Sequence, residues 1–468
     1  MSDSRNLLRF ISAVAALGLF IASWAVLHDG WFKRGEIIDT PVYESYGDQM
    51  ANYRVPYLDF SVEYPPAALP IFLVPSIGHE GNSDAYRRSF ETLITACGAV
   101  LMLSLAVALV ALNASLTRYC CALALAAISP LLLGSVILSR FDLWPTALTA
   151  GALAALLSGK LRLGHALLAL GVAAKLWPGV LIPLALAYVW RTRGRREAVS
   201  CLTVAVVVVA ACIVPFAWLA PHGFWHSFER QASRPLQIES LGAAFIVAAH
   251  HVAGTGVVMD SSHGSQNIAG TTANVVGGVL TVAQIAVLVA IWVVFARRER
   301  SKEELVQYAA AAVVAFIALG KVLSPQYLIW LIALVPLVRR WSAWALYVAA
   351  LVLTQAWFPH HYWGYALHFQ TTESWLVLAR DLVLLALLVV LVLPRGASLR
   401  PRRVSSSHDW GQTPDMPPSG KARLGEPGPV GVEARGLPRR VRRLPWPLGT
   451  ARPEAAGHAP RRVSSSPA

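Results

Sequence analysis

Long apolar runs constrain this sequence more than any other feature. A membrane-spanning helix needs about 20 predominantly apolar residues. Eight stretches satisfy or approach that length: Leu7–Leu27, Glu91–Leu112, Tyr119–Leu138, Leu143–Ser158, Ala198–Leu219, Ala273–Phe295, Ser342–Phe358 and Trp375–Leu393. Only 14% of the residues are charged, against about 25% in soluble proteins. The chain is therefore predicted to be an all-α, multi-pass membrane protein.

The basic residues indicate how the chain lies in the membrane. Much of the net charge of +14 comes from the region after Pro394 and from short basic loops. It therefore indicates membrane orientation rather than a nucleic-acid partner. Arginine clusters border the apolar runs at residues 191–196, 297–300 and 339–340, and positively charged loops stay in the cytoplasm. We expect a plasma-membrane protein with a cytoplasmic N-terminus and an outer first loop, residues 28–90.

Two further apolar segments, residues 164–190 and 305–338, are bordered by basic residues at both ends. Each should therefore cross and return. Lys175 and Lys321, each followed closely by a proline, lie near the middle of these segments. The arms are only about 14 residues, or roughly 21 Å of helix, shorter than a hydrocarbon core of about 30 Å. We predict two pairs of short broken helices and about twelve membrane helices in all, with Leu241–Val258 as an outer interfacial or re-entrant helix.

The C-terminal part of the chain has a different composition. From Pro394 onward proline, glycine, serine and arginine dominate, without apolar periodicity. This composition predicts a disordered basic cytoplasmic tail over 394–468, following a transmembrane domain over 1–393. The string RRVSSS occurs twice in the tail, either by drift or as a site for phosphorylation.

The first outer loop contains an acidic, aromatic stretch, residues 38–70, stiffened by prolines. Its carboxylates alternate with tyrosines: Asp39, Tyr43, Glu44, Tyr46, Asp48, Tyr53, Tyr57, Asp59, Glu63 and Tyr64. That mixture suits a sugar- or lipid-handling site beside a membrane. It equally suits a solvated loop whose tyrosines anchor at the lipid headgroups.

Charged residues at membrane depth are costly and so indicate function. Lys175 and Lys321 lie at the turns of the broken pairs, where a lysine could bind a phosphate. Each lysine could instead extend to the headgroups. Interrupted segments often mark binding sites, so for a matching pair of lysines both alternatives stay open.

Other charges allow two interpretations each. Arg140 and Asp142 either form a local ion pair at a helix start or face a cavity. Arg234, Gln237 and Glu239, close together in SRPLQIESL, either bind sugar hydroxyls or a phosphate or form a solvated turn. Arg380 and Asp381 are adjacent in the last helix and should point in different directions, so we expect structural partners elsewhere.

Four stretches together resemble glycosyltransferase family 87. VPYLDFSVEYPPAALP, residues 55–70, is similar to the family signature PYRDF-x-x-EYPPG, with Ala67 where glycine is common. AAKLWPGVLIP, SRPLQIESL and GKVLSPQYLIWL follow in the family's order. The resemblance covers residues 7–393. It implies a fold of the GT-C superfamily and a polyprenyl-phosphate-mannose-dependent, inverting α-mannosyltransferase with its active site on the outer face.

The resemblance also implies substrates and roles for residues. The donor would be a sugar, probably mannose, on a polyprenyl phosphate, and the acceptor a glycolipid or lipoglycan. A catalytic aspartate is expected soon after the first helix, which points to Asp39, with Asp48 and Asp59 as alternatives. A positioned base contributes about 10²–10⁴-fold, and cations must offset the charge of the phosphate that leaves.

The remaining assignments follow from that chemistry. Lys175, Lys321 and Arg234 are expected at the donor phosphate. The residues expected to bind substrate are Asp59, Glu63, Tyr64, Glu239 and Gln326. No nucleotide, NAD or other cofactor is expected, although outer carboxylates are groups that bind divalent cations.

Two other classes of protein fit part of the pattern. A secondary transporter or lipid flippase would also have about twelve helices and broken segments. It should, however, carry polar residues near the midplane and paired sequence halves, whereas the charges here gather on one side. A structural membrane protein would tolerate alanine throughout the acidic first loop.

Overall fold

The apolar runs form helices close to their predicted bounds. The computed structural model of the chain describes residues 2–33, 37–297 and 301–393, so the predicted tail lies outside the described residues. The helices are α1 (Ser2–Val26), α2 (Thr40–Ala51), α3 (Leu69–Ser76), α4 (Ser83–Ala111), α5 (Leu116–Leu133), α6 (Leu143–Leu157), α7 (Leu161–Ala174), α8 (Ile182–Arg193), α9 (Arg195–Leu219), α10 (Pro221–Ala232), α11 (Leu241–Ala253), α12 (Thr271–Arg297), α13 (Lys302–Ala318), α14 (Trp341–Trp357), α15 (Tyr362–His368) and α16 (Thr371–Val392).

Fewer helices than expected have the length to cross a membrane. Within the described residues six do so by length and composition: α1, α4, α5, α9, α12 and α16. A seventh is the bent pair α14 and α15, which turn by 76° at their junction. The expected number of about twelve is therefore not confirmed. Several other apolar helices are shorter than this length, and nearly every residue of one of them, α6, is buried.

The two interrupted segments break where the sequence predicted. In the first, α7 ends at Ala174 and a 3-10 turn over Trp177–Leu181 leads into α8. In the second, α13 ends at Ala318 and 3-10 helices over Pro325–Ala333 and Val335–Leu337 replace a second α-helix. Pro325 and Pro336 lack the N–H that an α-helical ladder needs, which accounts for the different second arm.

The first loop, residues 28–90, is more regular than its composition suggested. It contains α2, a 3-10 turn over Pro66–Ala68 and α3. Gly47 lets α2 lie against α3, since a Cβ atom there would be 2.3 Å from the carbonyl oxygen of Phe72. The loop is thereby a packed layer over the membrane helices.

A small sheet beside α11 was not predicted. Strands β1 (Leu236–Gln237), β2 (Val258–Ser262) and β3 (Ser265–Ala269) are antiparallel in the order β1-β3-β2. Leu236 pairs with Ile268, and Ile268 pairs with Met259. The strands are short and mostly polar, so no period-2 apolar pattern marks them.

Helix ends in contact with one another define two faces of the membrane domain. On one face Arg118, at the start of α5, pairs with Glu303 on α13 at 2.5 Å. On the same face Lys302 donates to the carbonyl of Ala111, at the end of α4, at 3.1 Å. We call this the basic face because most of the described arginines and lysines at helix ends lie on it: Arg5, Arg9, Arg118, Lys160, Arg162, Arg191, Arg193, Arg195, Arg196, Arg297, Lys302, Arg339 and Arg340. The opposite ends of α6 and α7, at Asp142 and Lys175, lie on the other face.

The expectation for Arg380 and Asp381 was partly wrong. Although adjacent on α16, their side chains form a buried ion pair, with Nε and Oδ1 2.6 Å apart. Full burial favours this pairing because neither charge has access to water. Arg380 also reaches another element, donating to the carbonyl of Glu239 at 2.7 Å.

Candidate functional site

One cavity on the face opposite the basic face brings most of the predicted site residues together. Its volume is about 440 Å³. The predicted residues among its lining are Asp39, Glu63, Tyr64, Lys175, Arg234, Glu239 and Gln326. They come from the first loop, both helix breaks and the β1 region. A cavity of this size accommodates a small ligand.

Asp39 lies at the edge of the cavity, immediately before α2. Its side chain does not cap that helix but forms an ion pair with Arg140, and it accepts a hydrogen bond from the hydroxyl of Tyr43 at 3.4 Å. The Asp39 side chain is 30% exposed, whereas that of Arg140 is only 7% exposed. Burial lowers the pKa of Arg140 to about 10, so its guanidinium stays protonated at neutral pH.

Lys175 forms the second ion pair of the cavity. Its ammonium lies 2.7 Å from Oδ1 of Asp142, and Asp142 also accepts a hydrogen bond from the indole of Trp330 at 2.5 Å. Asp142 has no exposed surface. Arg140 and Asp142 therefore do not pair locally; each pairs with a residue of another segment.

Aromatic rings surround the Lys175 ammonium. It lies 4.8 Å from the ring centre of Phe141, 5.6 Å from that of Trp330 and 5.9 Å from that of Tyr327. Ring faces attract cations at such distances. Trp330 also stacks on Trp177 with ring centres 5.0 Å apart, so the two interrupted segments meet directly beside this lysine.

Arg234 is the cavity cation that has the fewest partners. Its guanidinium donates to the carbonyl of His263, at the tip of the β2–β3 hairpin, at 3.4 Å. Within the described residues no carboxylate forms an ion pair with it, and its buried Nε has no hydrogen-bond partner. A buried donor without a partner is uncommon in folded proteins, so this guanidinium is available to an anion.

Glu239 is a buried carboxylate in the wall of the cavity. It is 2% exposed, its Oε2 has no hydrogen-bond partner, and burial raises its pKa to about 7 although the Arg380 charge opposes the shift. Its segment is held by Tyr365, which donates to the carbonyl of Ile238 at 2.8 Å. Gln326 likewise has a buried side-chain oxygen without a partner.

Glu63 and Tyr64 belong to the proline-rich part of the first loop. Glu63 lies 3.6 Å from Arg230 of α10, and Tyr64 packs edge-to-face on Phe141 with ring centres 4.8 Å apart. The hydroxyl of Tyr57 donates to the carbonyl of Tyr64 at 2.5 Å. These contacts fix the loop backbone where it forms the cavity wall.

Two predicted residues do not reach the cavity. The Lys321 ammonium donates to the carbonyl of Ala232, at the end of α10, at 3.1 Å. Asp59 closes its own turn by accepting from the backbone N–H of Val55 at 2.6 Å. Neither residue lines the cavity, because the Lys321 ammonium is bound at the end of α10 and Asp59 lies on an exposed turn.

Sequence reasoning missed the residues that surround the charges. Phe141, Tyr327 and Trp330 were not assigned, although each lies within a few residues of a charged or polar residue that had been singled out. The pairing of Lys175 with Asp142 was also missed. Its signal was weak: two opposite charges, each at an end of a short apolar helix, 33 residues apart in the chain.

Comparison with known proteins identifies the family. A search of curated proteins returned no match. The sequence profile of Glycosyltransferase family 87 matches residues 62–325, more than half of the chain and most of the cavity wall. The match to an enzyme family supersedes the transporter and scaffold hypotheses. The apolar helices indicate that this enzyme is a membrane protein. The chain therefore belongs to glycosyltransferase family 87.

Proposed function

We propose that this chain transfers a mannosyl group from a polyprenyl phosphate to a glycolipid or lipoglycan acceptor, with inversion at the anomeric carbon. The observation that carries the proposal is that a partly buried carboxylate, Asp39, lines the same cavity as the cations Lys175 and Arg234. Family membership supplies the reaction class. The sugar, the lipid donor and the acceptor are parts of the proposal.

Asp39 is the proposed catalytic base. In an inverting transfer the acceptor oxygen attacks the anomeric carbon as the bond to the phosphate oxygen breaks on the opposite side. A carboxylate takes the hydroxyl proton, and the electron pair leaves with the phosphate. Asp39 suits this role because it forms an ion pair with Arg140 and is partly open to the cavity. A base at this position should contribute about 10²–10⁴-fold to the rate.

Arg234 is the proposed principal ligand of the donor phosphate. No carboxylate of the described residues forms an ion pair with its guanidinium, and it matches phosphate geometry with paired N–H donors. Lys175 adds a second positive group, although its charge is shared with Asp142. Lys321 is proposed instead to hold the end of α10, since its ammonium is bound to Ala232.

Polar groups without partners are the proposed contacts for sugar hydroxyls. Glu239 and Gln326 each present a buried oxygen that accepts no hydrogen bond within the described residues. Glu63 and Tyr64 form the opposite wall. The lipid part of the donor would lie on the apolar rim, where Val42 and Leu176 are 44% and 49% exposed.

The outer face of the plasma membrane is the proposed location of the cavity. The charges of the helix ends support this, since the cavity lies on the face opposite the basic one and basic loops stay in the cytoplasm. A lipid-linked donor fits that side of the membrane because transfer from it does not require a cytoplasmic nucleotide sugar.

The test is transfer by the purified full-length chain in lipid nanodiscs. With polyprenyl-phosphate mannose and a glycolipid acceptor extract, the enzyme should release polyprenyl phosphate and form a glycosylated lipid. Asp39→Asn should lower the rate by about 10²–10⁴-fold, whereas the matched Asp59→Asn variant, outside the cavity, should stay near wild type. Transfer by Asp39→Asn at the wild-type rate would contradict the assignment of the base.

A further inference from the structure

A second cavity opens on the basic face, at the end of the molecule away from Asp39. Its volume is about 810 Å³. It lies where the C-terminal ends of α4, α6 and α8 approach the N-terminal ends of α5, α7 and α13. Of the described residues that line it, none also lines the cavity that contains Asp39.

Two cations form the polar side of this second cavity. Lys302 donates one hydrogen bond, to the carbonyl of Ala111 at 3.1 Å. Two of the three N–H groups of its ammonium can therefore donate to a ligand. Arg193 is exposed at the end of α8. The described lining includes no aspartate or glutamate. The neighbouring Glu303 is already bound by Arg118 at 2.5 Å.

Neutral hydrogen-bonding groups lie between the cations. They are Asn113, Tyr119, Ser158, Tyr188 and Thr192. Hydroxyl and amide groups of this kind hydrogen-bond phosphate oxygens and the hydroxyls of a polar head.

The other side of the second cavity is apolar and faces lipid. Val107 and Val110, on the membrane-spanning helix α4, line it while remaining 51% and 45% exposed. Buried leucines, Leu156, Leu157 and Leu161, close its inner wall. A ligand here would have an anionic head beside Arg193 and Lys302 and an apolar chain along α4.

We propose that this cavity binds the headgroup of an anionic phospholipid from the leaflet at the basic face. Charge complementarity and the open apolar side both favour a phospholipid over a soluble anion. Basic pockets between membrane helices are suited to anionic headgroups. The site is independent of sugar transfer and would hold the ends of six helices together.

Native mass spectrometry of the full-length protein tests the proposal. The purified chain is titrated with phosphatidylglycerol or with phosphatidylcholine of the same acyl chains. We expect one phosphatidylglycerol to bind with preference over phosphatidylcholine. The double variant R193Q/K302Q should weaken that binding roughly 10- to 30-fold. The matched control R195Q/R196Q, which removes two exposed charges outside the cavity, should bind as wild type does.

A second variant separates loss of the site from loss of the fold. Val110→Trp keeps every charge and fills the lipid-facing opening, so it should weaken phosphatidylglycerol binding while the thermal unfolding temperature stays near that of wild type. Glycerol phosphate should not compete with phosphatidylglycerol for the cavity. Equal binding of phosphatidylcholine, equal loss in R195Q/R196Q, unchanged binding in Val110→Trp, or displacement by glycerol phosphate would each overturn the proposal.

Discussion

At the scale of single residues, the cavity is organised by charges that pair across segments. Asp39 pairs with Arg140 and Lys175 with Asp142, and the partners come from separate parts of the chain. Residue types and approximate locations were predictable, because charges beside helix breaks are unusual in an apolar sequence. The pairs themselves were not predictable, since they depend on how short helices approach each other. Asp59 shows the limit: it belongs to the family-like motif but lies on an exposed turn.

The Lys175–Asp142 pair should be sensitive to the loss of one partner. Lys175→Met leaves Asp142 buried without its countercharge, which typically costs about 3–5 kcal/mol. The double variant Lys175→Met/Asp142→Asn should recover most of that loss, because no unpaired charge remains. Thermal or denaturant unfolding of the detergent-solubilised protein measures both. Equal stability of the single and double variants would show that the two charges are not coupled.

Arg234 should affect donor binding more than Lys321 does. A hydrogen bond to a charged group contributes about 1.5–3 kcal/mol, so Arg234→Gln should raise KM for the polyprenyl-phosphate donor by roughly 10- to 100-fold. Lys321→Gln removes the same charge from outside the cavity and should change KM little. Steady-state kinetics with varied donor distinguishes them, and a larger effect of Lys321→Gln would reverse the assignment.

Glu239 should make stability depend on pH near neutrality. Because burial raises its pKa from 4.5 to about 7, the folded state holds this proton more tightly than the unfolded state does. The resulting stability is complete below about pH 4.5 and is lost as pH rises through 7, a loss of about 3 kcal/mol at most. Glu239→Gln should flatten that dependence. Unfolding of both proteins from pH 5 to 8 measures it, and parallel curves would contradict the prediction.

At the scale of elements, apolar length and periodicity predicted helices well and irregular structure poorly. Both interrupted segments break beside their lysines as expected, because proline and short arms leave few alternatives. The helices within the first outer loop and the three-stranded sheet were missed. The loop helices carry polar and aromatic residues that a solvated loop could also contain, and the strands are too short to show alternation.

Packing of α1 on α4 depends on one glycine. A Cβ atom on Gly98 would lie 2.2 Å from Cζ of Phe20, whereas one on Gly18 would meet nothing within 4 Å. Gly98→Ala should therefore destabilise the protein by about 1–3 kcal/mol, and the control Gly18→Ala should not. Thermal unfolding in detergent compares them. Equal effects would show that α1 can shift without cost.

At the scale of the whole molecule, the distribution of charge separates the two faces. The basic residues that predicted orientation gather at one set of helix ends, and the candidate cavity lies among the opposite ends. That the chain is a membrane protein could therefore be predicted from composition alone. The number of spans is less predictable, because α6 is apolar and runs between the two faces yet is shorter than a usual spanning helix and buried in the protein.

The orientation can be measured in cells. In a variant without the native cysteines, Tyr53→Cys lies on the cavity face at a residue that is 95% exposed, and Arg195→Cys lies on the basic face. An impermeant maleimide should label the first in intact cells and the second only after lysis, because basic loops remain in the cytoplasm. The reverse pattern would place the cavity inside.

The stacked indoles of Trp177 and Trp330 connect the two interruptions of the membrane helices. Each interruption alone would leave backbone groups short of helical partners within an apolar medium. Through this aromatic contact, two segments from distant parts of the chain support each other beside Lys175. Removal of either indole would therefore take away a contact that both interruptions share.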